Sequence, residues 1–344
     1  MKKRIWFNRT FSAASHYVEM IRKNSDHLKF EIYATHPKKH SPMLQVADYA
    51  ELEPILPLDQ YVQYCIEFCR YHQIDIFIPH FGLTEISLHA AEFEKIGTGL
   101  LLSGDYKLLN IVADKGRLFE ALKPVESLTL PDYSIVSTVT EFEAAYQVLK
   151  DKGHRVCFKP AQGEGGAGFR IIEESPKNIN SLFEPVTNRI SLEEVIRILS
   201  SVDRFESLMV MELLEGHEYS VDCLGNKDGL LAAVPRKKVE GRIRELEENT
   251  ELIQLSHAIH KVLPLMYNFN IQFIYQNNVP KLLEINPRTS GGLYISCLSG
   301  INFPYLALKS FLGHEVSLQQ PKLGILATHI EKEMIIKEHS LFSE

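Results

Sequence analysis

The sequence has few of the features that would place a protein in a membrane or on nucleic acid. Its longest apolar stretches, such as residues 229–234, are far shorter than the roughly 18 residues that a membrane span requires. Acidic residues (44) outnumber basic ones (37), and the basic residues are scattered rather than clustered. A formal net charge of −7 without a basic patch argues against a nucleic-acid partner, so we expect neither membrane crossing nor nucleic-acid binding.

Cysteine is also scarce, and no secretion signal is evident. Five cysteines spread along the chain fit reduced thiols better than a disulfide framework. Cys65 and Cys69 lie one helical turn apart, and we expect them in a hydrophobic core rather than on a metal. The N-terminus reaches Asn8 and Arg9 before an apolar segment develops, which argues against a signal peptide. We therefore expect a cytoplasmic protein.

The composition that remains is that of an ordinary folded protein of two or three domains. The chain has 344 residues, 45% of them hydrophobic and 24% charged. Over residues 1–103, short apolar strands alternate with helical segments, which predicts an open parallel sheet covered by helices. No glycine-rich phosphate motif follows the first strand, so this domain is not predicted to bind a dinucleotide in the usual way.

The pattern changes after a helical connector over residues 104–124, whose second helix is predicted to begin at Asp114. Further along, an α+β unit with antiparallel pairing is expected. Its predicted helices cover 140–150, with Thr140 and Glu143 in capping-box spacing, 191–201 from Ser191, and 249–262. On the last of these, His257 and His260 are interpreted as solvated rather than as a metal pair.

A glycine-rich segment, Gly163 to Gly168, directly follows a predicted strand that ends with Lys159. Its GxGxxG spacing is typical of dinucleotide sites, but the β-branched residues after it predict a strand and not the helix that such sites need. A strand, glycine loop and strand instead form a flap whose N–H groups can cover phosphates. The alternative is a merely flexible hairpin.

A second group of polar residues lies on a predicted hairpin over 271–285. Glu284 and Asn286 face the same side because the side-chain period of a strand is two. A three-residue loop at 277–279 would set Gln272 opposite Glu284 and Asn270 opposite Asn286. Such an oxygen set suits Mg²⁺. A solvated polar face is the alternative, and the apolar neighbours bring the two interpretations to about equal weight.

The segment 209–222 predicts an apolar strand, a tight turn at Gly216 and a second strand. Backbone groups at such a turn can meet an adenine edge while a carboxylate reaches ribose hydroxyls, although acidic hairpins are common. The charged run 236–244 is typical of a solvated loop, and within it Arg236 is interpreted as facing a substrate.

Taken in chain order, these motifs resemble the ATP-grasp superfamily over about residues 104–325. The resemblance is to the branch of carbamoyl phosphate synthase, biotin carboxylase and small amino-acid ligases. It implies an α/β and α+β fold in three parts: a preATP-grasp-like open parallel-sheet domain (1–103), a connector and small subdomain with the glycine flap (104–210), and a large subdomain with the Mg-ATP site (211–325).

The resemblance also implies a role for each matching residue. Lys115 and Lys159 would contact ATP phosphates or the adenine edge, and the catalytic residues would be Arg236 and Arg288. Glu212 and Leu214 would lie at the adenine and Glu218 at the ribose, with Gly163, Gly165, Gly166 and Gly168 in the flap. One or two Mg²⁺ ions, or Mn²⁺, would be held by Gln272, Glu284 and Asn286, and the substrate would meet Gly291 and Gly292.

The expected function is an ATP- and Mg²⁺-dependent carboxylate–amine ligase that forms an amide through an acyl phosphate and releases ADP and phosphate. Its partners would be a small-molecule acid and amine, and the chain could act as a homodimer. Two alternatives stay open at this point: a nucleotide-binding regulatory protein without ligase activity, and an ATP-grasp kinase that phosphorylates a small molecule.

Overall fold

The computed structural model describes residues 2–11, 15–163, 166–174, 179, 183, 185, 187–330 and 333–336. The chain divides into two compact units. Unit 1 is Met1–Asn110, Glu218–Gln272 and Ile285–Glu344; unit 2 is Ile111–His217 and Phe273–Glu284. These units group the chain by contact rather than by sequence order, so the three-part division at 103/104 and 210/211 stays a prediction.

The first sheet, in unit 1, is the open parallel sheet that the sequence predicts. Its strand order is β3-β2-β1-β4-β5, and every neighbouring pair is parallel. The strands are β1 Lys3–Asn8, β2 Phe30–His36, β3 Tyr49–Leu52, β4 Ile76–Ile78 and β5 Gly99–Leu100. The helices are α1 Ser15–Arg22, α2 Pro42–Val46, α3 Leu58–His72, α4 Leu83–Leu88 and α5 Ala90–Lys95.

Aromatic packing explains why α3 covers this sheet. The Trp6 ring on β1 stacks on Phe68 of α3 and on Phe77 of β4, with centroid distances of 4.3 and 4.0 Å. Cys65 and Cys69 lie on the same face of α3 and are fully buried, which confirms the expectation that they belong to the core.

The second sheet lies in unit 2 and has the order β6-β10-β7-β8-β9. Its strands are β6 Tyr133–Val136, β7 Val156–Pro160, β8 Arg170–Glu173, β9 Arg189–Ser191 and β10 Leu208–Glu212. The helices in this stretch of the chain are α6 Tyr106–Ala113, α7 Lys115–Leu122, α8 Val139–Asp151 and α9 Leu192–Leu199. β7 and β8 pair in antiparallel fashion on either side of the glycine loop, so no helix follows that loop.

Three helix starts were predicted in this region, and one prediction was wrong. Asp114 caps α7 by accepting from the Arg117 amide, and Ser191 caps α9, as expected. The capping box of α8 uses Thr138 and Glu141 rather than Thr140 and Glu143. The helix begins at Val139, so its N-cap lies two residues before the predicted one. Both threonines precede a glutamate by three residues, so spacing alone does not distinguish them.

The third sheet has the order β15-β14-β11-β12-β13-β16. Its strands are β11 Glu218–Asn226, β12 Gly229–Glu240, β13 Ile243–Leu246, β14 Tyr267–Gln276, β15 Val279–Asn286 and β16 Ile325–Ala327. The helices that follow or separate them are α10 Thr250–Val262, α11 Leu293–Ser296 and α12 Phe303–Phe311, with a 3-10 turn at Cys297–Ser299. His260 on α10 is buried against Phe269 and bonds the Leu265 carbonyl, so the expectation of a solvated His260 was wrong.

The loop between β14 and β15 differs from the predicted one. It has two residues, Asn277 and Asn278, with φ of 53° and 64°, and β15 begins at Val279. Two consecutive left-handed residues are typical of a type I′ hairpin, whose twist matches that of the strands, and asparagine tolerates this conformation. The three-residue loop at 277–279 was therefore wrong, and it no longer supports the inferred pairing of Gln272 with Glu284.

Within unit 1, a hydrophobic core joins strands of the first sheet to strands of the third sheet. It includes Ile5 of β1, Ile32 of β2, Leu224 of β11, Val234 of β12 and Leu308 of α12. The parallel sheet and the strands after residue 218 therefore share buried apolar surface, which is why they form one compact unit. Within the described ranges, no helix is both long and apolar enough to span a bilayer.

Candidate active site

In unit 2, the start of α7 and the glycine loop are bonded together. The Lys115 ammonium donates to the Gly163 carbonyl at 3.0 Å, and the Lys115 amide donates to the Ala161 carbonyl at 3.0 Å. A side-chain bond from Gln162 to Asp114, at 3.3 Å, adds to this attachment. Lys115 and Gly163, two predicted ATP-binding residues that lie 48 positions apart in the sequence, are thus neighbours.

The Lys159 side chain lies close to a second member of the predicted set. Its ammonium donates to the Leu283 carbonyl at 3.3 Å. The charges of the Glu284 carboxylate and the Lys115 ammonium also act on it. Burial lowers the pKa of Lys159 to about 8; the Glu284 charge raises it, and the Lys115 charge lowers it. Lys115 and Lys159 are both buried, each with 7% of its surface exposed. An added polyanion would compensate this concentration of buried positive charge.

The glycine loop uses conformations that favour glycine. Gly163, Gly166 and Gly168 have φ of 125°, 71° and 75°. A Cβ on Gly168 would come within 2.8 Å of the Pro160 ring, so that position has no room for a side chain. Gly165 lies outside the described residues.

The predicted adenine residues lie at the end of β10. The Glu212 carboxylate is buried, pairs with the Lys281 ammonium and accepts from the Asp132 amide at 2.8 Å. These bonds fix the strand end, and Leu214 two residues later is also buried. The following turn needs Gly216 because a Cβ there would lie 1.6 Å from the Tyr275 carbonyl oxygen.

In unit 1, the predicted ribose residue Glu218 begins β11. Its carboxylate is partly exposed and pairs with Lys238 at 3.1 Å. An exposed carboxylate of this kind can exchange its surface ion pair for a ligand hydroxyl at small cost, since such pairs contribute little free energy.

The predicted metal residues lie on β14 and β15. Glu284 and Asn286 are two residues apart on β15, as are Asn270 and Gln272 on β14. Asn270 is fully buried and donates to Asp222 at 2.9 Å. No group of three or more His, Cys, Asp or Glu side chains able to hold a metal occurs within the described ranges. The proposed set contains one carboxylate and two amides.

A buried network surrounds Arg236 of β12. Its guanidinium is 6% exposed, lies 3.2 Å from the Asp222 carboxylate, and donates to the Ser290 and Ser296 hydroxyls at 3.1 and 3.3 Å. Both serines also donate to Asp222. Asp222 therefore accepts from several donors, which satisfies a carboxylate that has no exposed surface.

Gly292 permits this position of Arg236. A Cβ on Gly292 would lie 2.5–2.8 Å from three guanidinium atoms, whereas a Cβ on Gly291 would meet no atom within 4 Å. Gly292 precedes α11, a helix of four residues. The structure thus brings Gly292 and Arg236 together, two residues that were predicted separately.

Two residues that contact Thr289 and Ser290, directly after Arg288, were not predicted from the sequence. His80 follows β4, its Nε2 lies 3.4 Å from the Thr289 hydroxyl, and burial lowers its pKa to about 4, so its ring is neutral at pH 7. The buried Tyr17 hydroxyl donates to the Ser290 carbonyl, and burial raises its pKa. These residues are more than 200 positions from Arg288 in the sequence, and local spacing carries no signal of such contacts.

Asp222 was also missed, but a local signal existed. It is a carboxylate between Val221 and Cys223 in the middle of an apolar strand. A charged residue at such a position requires buried partners. The sequence therefore indicates that Asp222 has a partner, although it does not name Arg236.

Comparisons with known proteins agree with this architecture. Residues 204–333 match the protein family described as "ATP-grasp in the biosynthetic pathway with Ter operon". The chain is 21% identical over 253 residues to the carbamoyl phosphate synthase large chain of Clostridium acetobutylicum, covering 69% of this chain and 22% of that protein. It is 23% identical over 307 residues to that of Lachnoclostridium phytofermentans, covering 83% and 26%. The chain thus spans about a quarter of the length of these relatives.

Solved structures show the same fold. An ADP complex of N5-carboxyaminoimidazole ribonucleotide synthetase has a TM-score of 0.68 at 13% identity, covering 94% of this chain and 80% of that one. Biotin carboxylase from Campylobacter jejuni has a TM-score of 0.68 at 16% identity, covering 94% of this chain and 74% of that one. The L-amino acid ligase from Bacillus licheniformis has a TM-score of 0.62 at 14% identity, covering 90% of this chain and 74% of that one. These structural likenesses, all below 25% identity, confirm the expected fold class.

Proposed function

We propose that this chain is an ATP- and Mg²⁺-dependent carboxylate–amine ligase that works through an acyl phosphate and releases ADP and phosphate. One observation carries the proposal: two buried lysines, a glycine loop and the Glu284 carboxylate are neighbours in unit 2. Clustered cations beside a carboxylate suit a polyphosphate with a divalent metal. The matched proteins support it, since their names include a synthetase with ADP and an amino acid ligase.

In this proposal, Lys115 and Lys159 neutralise the ATP phosphates, and the glycine loop lies over them with its N–H groups. The adenine lies along the chain from Glu212 to Leu214. The Glu212 carboxylate fixes the position of this strand end through its bonds to Asp132 and Lys281. Glu218 accepts hydrogen bonds from the ribose hydroxyls. The loop residues in this role are Gly163, Gly165, Gly166 and Gly168.

The donor set on β14 and β15 fits a hard cation, because Gln272, Glu284 and Asn286 all offer oxygen. Mg²⁺, with Mn²⁺ as a substitute, would supply positive charge beside the phosphates. Glu284 is the single carboxylate of the set and carries its charge close to Lys159. We expect its loss to weaken metal binding more than the loss of either amide.

The first chemical step joins the acid to phosphate. A carboxylate oxygen attacks the γ-phosphorus of ATP, the bond from that phosphorus to the ADP oxygen breaks, and ADP leaves with the electron pair. Arg288 stabilises the charge on the transferred phosphoryl group. The Arg236 guanidinium donates to the Ser290 hydroxyl, next to Gly291 and Gly292. Its Nη1 lies against Gly292.

The second step forms the amide. The amine nitrogen attacks the acyl carbon, phosphate leaves with the carbon–oxygen electron pair, and the nitrogen loses a proton to solvent or phosphate. The flap excludes water, which would otherwise hydrolyse the acyl phosphate. Gly291 and Gly292 offer backbone N–H groups to the acyl oxygen. The substrates are a small-molecule acid and amine; a homodimer in the cytoplasm belongs to the same proposal.

The test is turnover of the purified protein with ATP, Mg²⁺, a mixed pool of carboxylic acids and hydroxylamine in place of the amine. We expect ADP, not AMP, together with a hydroxamate whose mass names the acid. Glu284→Gln should lower the rate at least about tenfold, whereas Glu240→Gln, an exposed control in the same sheet, should not. ATP binding without any product would favour a regulatory protein, and a stable phosphate ester would favour a kinase.

A further inference from the structure

In unit 1, one face of β12 and β13 carries a row of basic side chains. Lys238 lies opposite Arg244 in the strand pairing, and Arg236 lies opposite Leu246. Residues two positions apart on a strand face the same side, so the three basic residues share this face. Diagonal neighbours in a sheet are about 7–8 Å apart, which lets long side chains interact. Burial lowers the pKa of Arg244 and the charge of Arg236 lowers it further, although arginine stays charged at pH 7.

Two of these three charges are compensated within the fold. Arg236 pairs with Asp222 at 3.2 Å, and Lys238 pairs with Glu218 at 3.1 Å. The Glu218 charge also acts on Arg244, but no carboxylate of the described residues lies within ion-pair distance of its guanidinium. In that part of the chain, Arg244 is therefore the member of the row whose charge has no carboxylate partner.

The hydrogen bonds of Arg244 leave one edge of its guanidinium accessible. Its Nη1 donates to the Gly241 and Ile243 carbonyls, each at 2.9 Å. Its Nε and Nη2 donate to no residue that the structure describes, and neither atom is enclosed by the protein. The N–H groups of Nε and Nη2 point in the same direction and match the two oxygens of a carboxylate. Arg244 therefore offers a fork of two donors that a ligand can reach.

Tyr294 of α11 supplies a further donor beside this row. Its ring stacks on the ring of His16, with a centroid distance of 4.9 Å, and packs against the core of unit 1. Its hydroxyl makes no hydrogen bond with the described residues and is not enclosed by the protein. Burial raises the pKa of this hydroxyl, whereas the charges of Arg236, Arg244 and Arg242 lower it. The hydroxyl thus lies in a region of positive potential, which favours an anion there.

The position of these donors relates them to the proposed substrate segment. The Arg236 guanidinium lies against Gly292, and Tyr294 follows two residues later. The charge that lacks a partner, on Arg244, amounts to a single unit. A carboxylate carries one negative charge and matches it, whereas a phosphate monoester carries about 1.5 to 2 at pH 7. The row therefore suits a carboxylate next to the segment that meets the acyl oxygen in the proposed function.

We propose that Arg244 and Tyr294 bind a second carboxylate of the acid substrate, so that the acid is a dicarboxylic acid. The reacting carboxylate lies at Gly291 and Gly292. The other carboxylate accepts two N–H groups from Arg244 and the hydroxyl of Tyr294. The inference rests on the proposed function for the reaction, but the binding that it predicts is measurable without turnover.

Calorimetric binding tests the need for a second carboxylate. With Mg²⁺ and a non-hydrolysable ATP analogue present, succinate, glutarate and adipate are compared with their monomethyl esters. Each ester keeps the chain length and one carboxylate but masks the other. We expect at least one diacid to bind at least about tenfold more tightly than its ester, because the ester cannot pair with Arg244. Equal affinities within every pair, or no binding by any of the diacids, would overturn the inference.

A reversal of charge places this selection at Arg244. The diacid that binds best is compared with the ω-amino acid of the same chain length, which carries an ammonium group instead of the second carboxylate. Arg244→Glu should shift the ratio of the two affinities about 100-fold toward the ω-amino acid. Lys227→Glu makes the same change of charge at the exposed turn between β11 and β12 and should leave the ratio within twofold. A gain for the ω-amino acid cannot result from misfolding. Equal shifts in both variants would contradict the proposal.

The Tyr294 hydroxyl is tested by a variant that keeps the ring. Tyr294→Phe retains the contact with His16 and removes only the donor. We expect the diacid to bind about threefold to tenfold more weakly, and its ester to keep its affinity within twofold. An equal loss for diacid and ester would show that Tyr294 does not bind the second carboxylate.

Hydroxamate formation from the same acids, with ATP and hydroxylamine, separates this inference from the proposed function. A preference for diacids that Arg244→Glu reverses supports the second-carboxylate site even if no hydroxamate forms, in which case the ligase proposal fails by itself. Hydroxamates formed from the esters as readily as from the diacids would leave the ligase proposal intact and overturn the inference. A preference for amines that bear a carboxylate, without one for diacids, would assign Arg244 to the amine and also overturn it.

Discussion

Two regions of the molecule bury charged side chains, and they compensate that charge in different ways. In unit 1, the Arg236 guanidinium meets the Asp222 carboxylate at 3.2 Å within a network that includes two serines. In unit 2, Lys115 and Lys159 repel one another, and both donate to backbone carbonyls. The first region balances its charge internally, whereas in the proposed function a bound polyanion would compensate the charge of the second. Under that proposal, the contrast is between a buried charge compensated within the fold and one compensated by a ligand.

Removal of the carboxylate in unit 1 should have the largest effect. Asp222→Ala leaves the Arg236 guanidinium buried without its counter-ion, and we expect a loss of about 3–5 kcal/mol in the free energy of unfolding. Urea denaturation measures it, with the exposed Asp228→Ala as control. A loss below about 1 kcal/mol would mean that Arg236 does not depend on Asp222.

The corresponding change in unit 2 should have the opposite sign. Burial disfavours the Lys159 ammonium, so Lys159→Met should raise the free energy of unfolding at pH 7 by about 1–3 kcal/mol. We expect Mg-ATP to raise the melting temperature of the wild type, and this increase should fall sharply in the variant. Lys281→Met is the control, because it removes the partner of the buried Glu212 and should destabilise the fold. If Lys159→Met destabilised the fold as Lys281→Met does, the charge of Lys159 would be compensated within the fold, and the two regions would not differ in this respect.

The neutral His80 predicts a dependence of stability on acid. Its pKa is about 4 in the folded protein and about 6.5 in the unfolded chain, because burial disfavours the imidazolium. The unfolded chain therefore binds more protons between these values, and stability falls as pH drops from 6.5 toward 4. His80→Asn should remove at most about 3 kcal/mol of this loss, measured by urea denaturation at pH 7 and pH 4.5. The exposed His257→Asn should leave the loss unchanged; equal curves for His80→Asn and wild type would contradict the prediction.

The smallest effect is expected at an exposed ion pair. Arg197 and Glu194 on α9 lie 2.7 Å apart, with 69% and 44% of their side chains exposed. Arg197→Ala should change the free energy of unfolding by no more than about 0.5 kcal/mol because water screens the pair. A loss comparable to that of Asp222→Ala would show that burial does not decide the energetics of these charges.

Local patterns predicted much of the fold, and tertiary contacts account for the errors. The alternation of short apolar strands with helical segments predicted the parallel sheet, and cap residues predicted the starts of α7 and α9. The hairpin loop was wrong because Asn277 and Asn278 adopt left-handed conformations. Dihedral angles of this kind follow from strand twist and not from hydrophobic spacing.

The candidate site follows the same rule. Lys115, Lys159 and Glu284 were predicted because each stands in a motif, and in the structure the charges of Lys115 and Glu284 both act on Lys159. His80, Tyr17 and their contacts to Thr289 and Ser290 depend on chain segments more than 200 residues apart.

Oxygen transfer from the acid to phosphate tests the central claim most directly. The protein is incubated with ATP, Mg²⁺, hydroxylamine and a mixed pool of carboxylic acids that carry ¹⁸O in the carboxylate, and the released phosphate is analysed by mass. An acyl phosphate predicts one ¹⁸O atom in each phosphate and ADP as the nucleotide product. Phosphate without ¹⁸O, or AMP with pyrophosphate, would contradict the account.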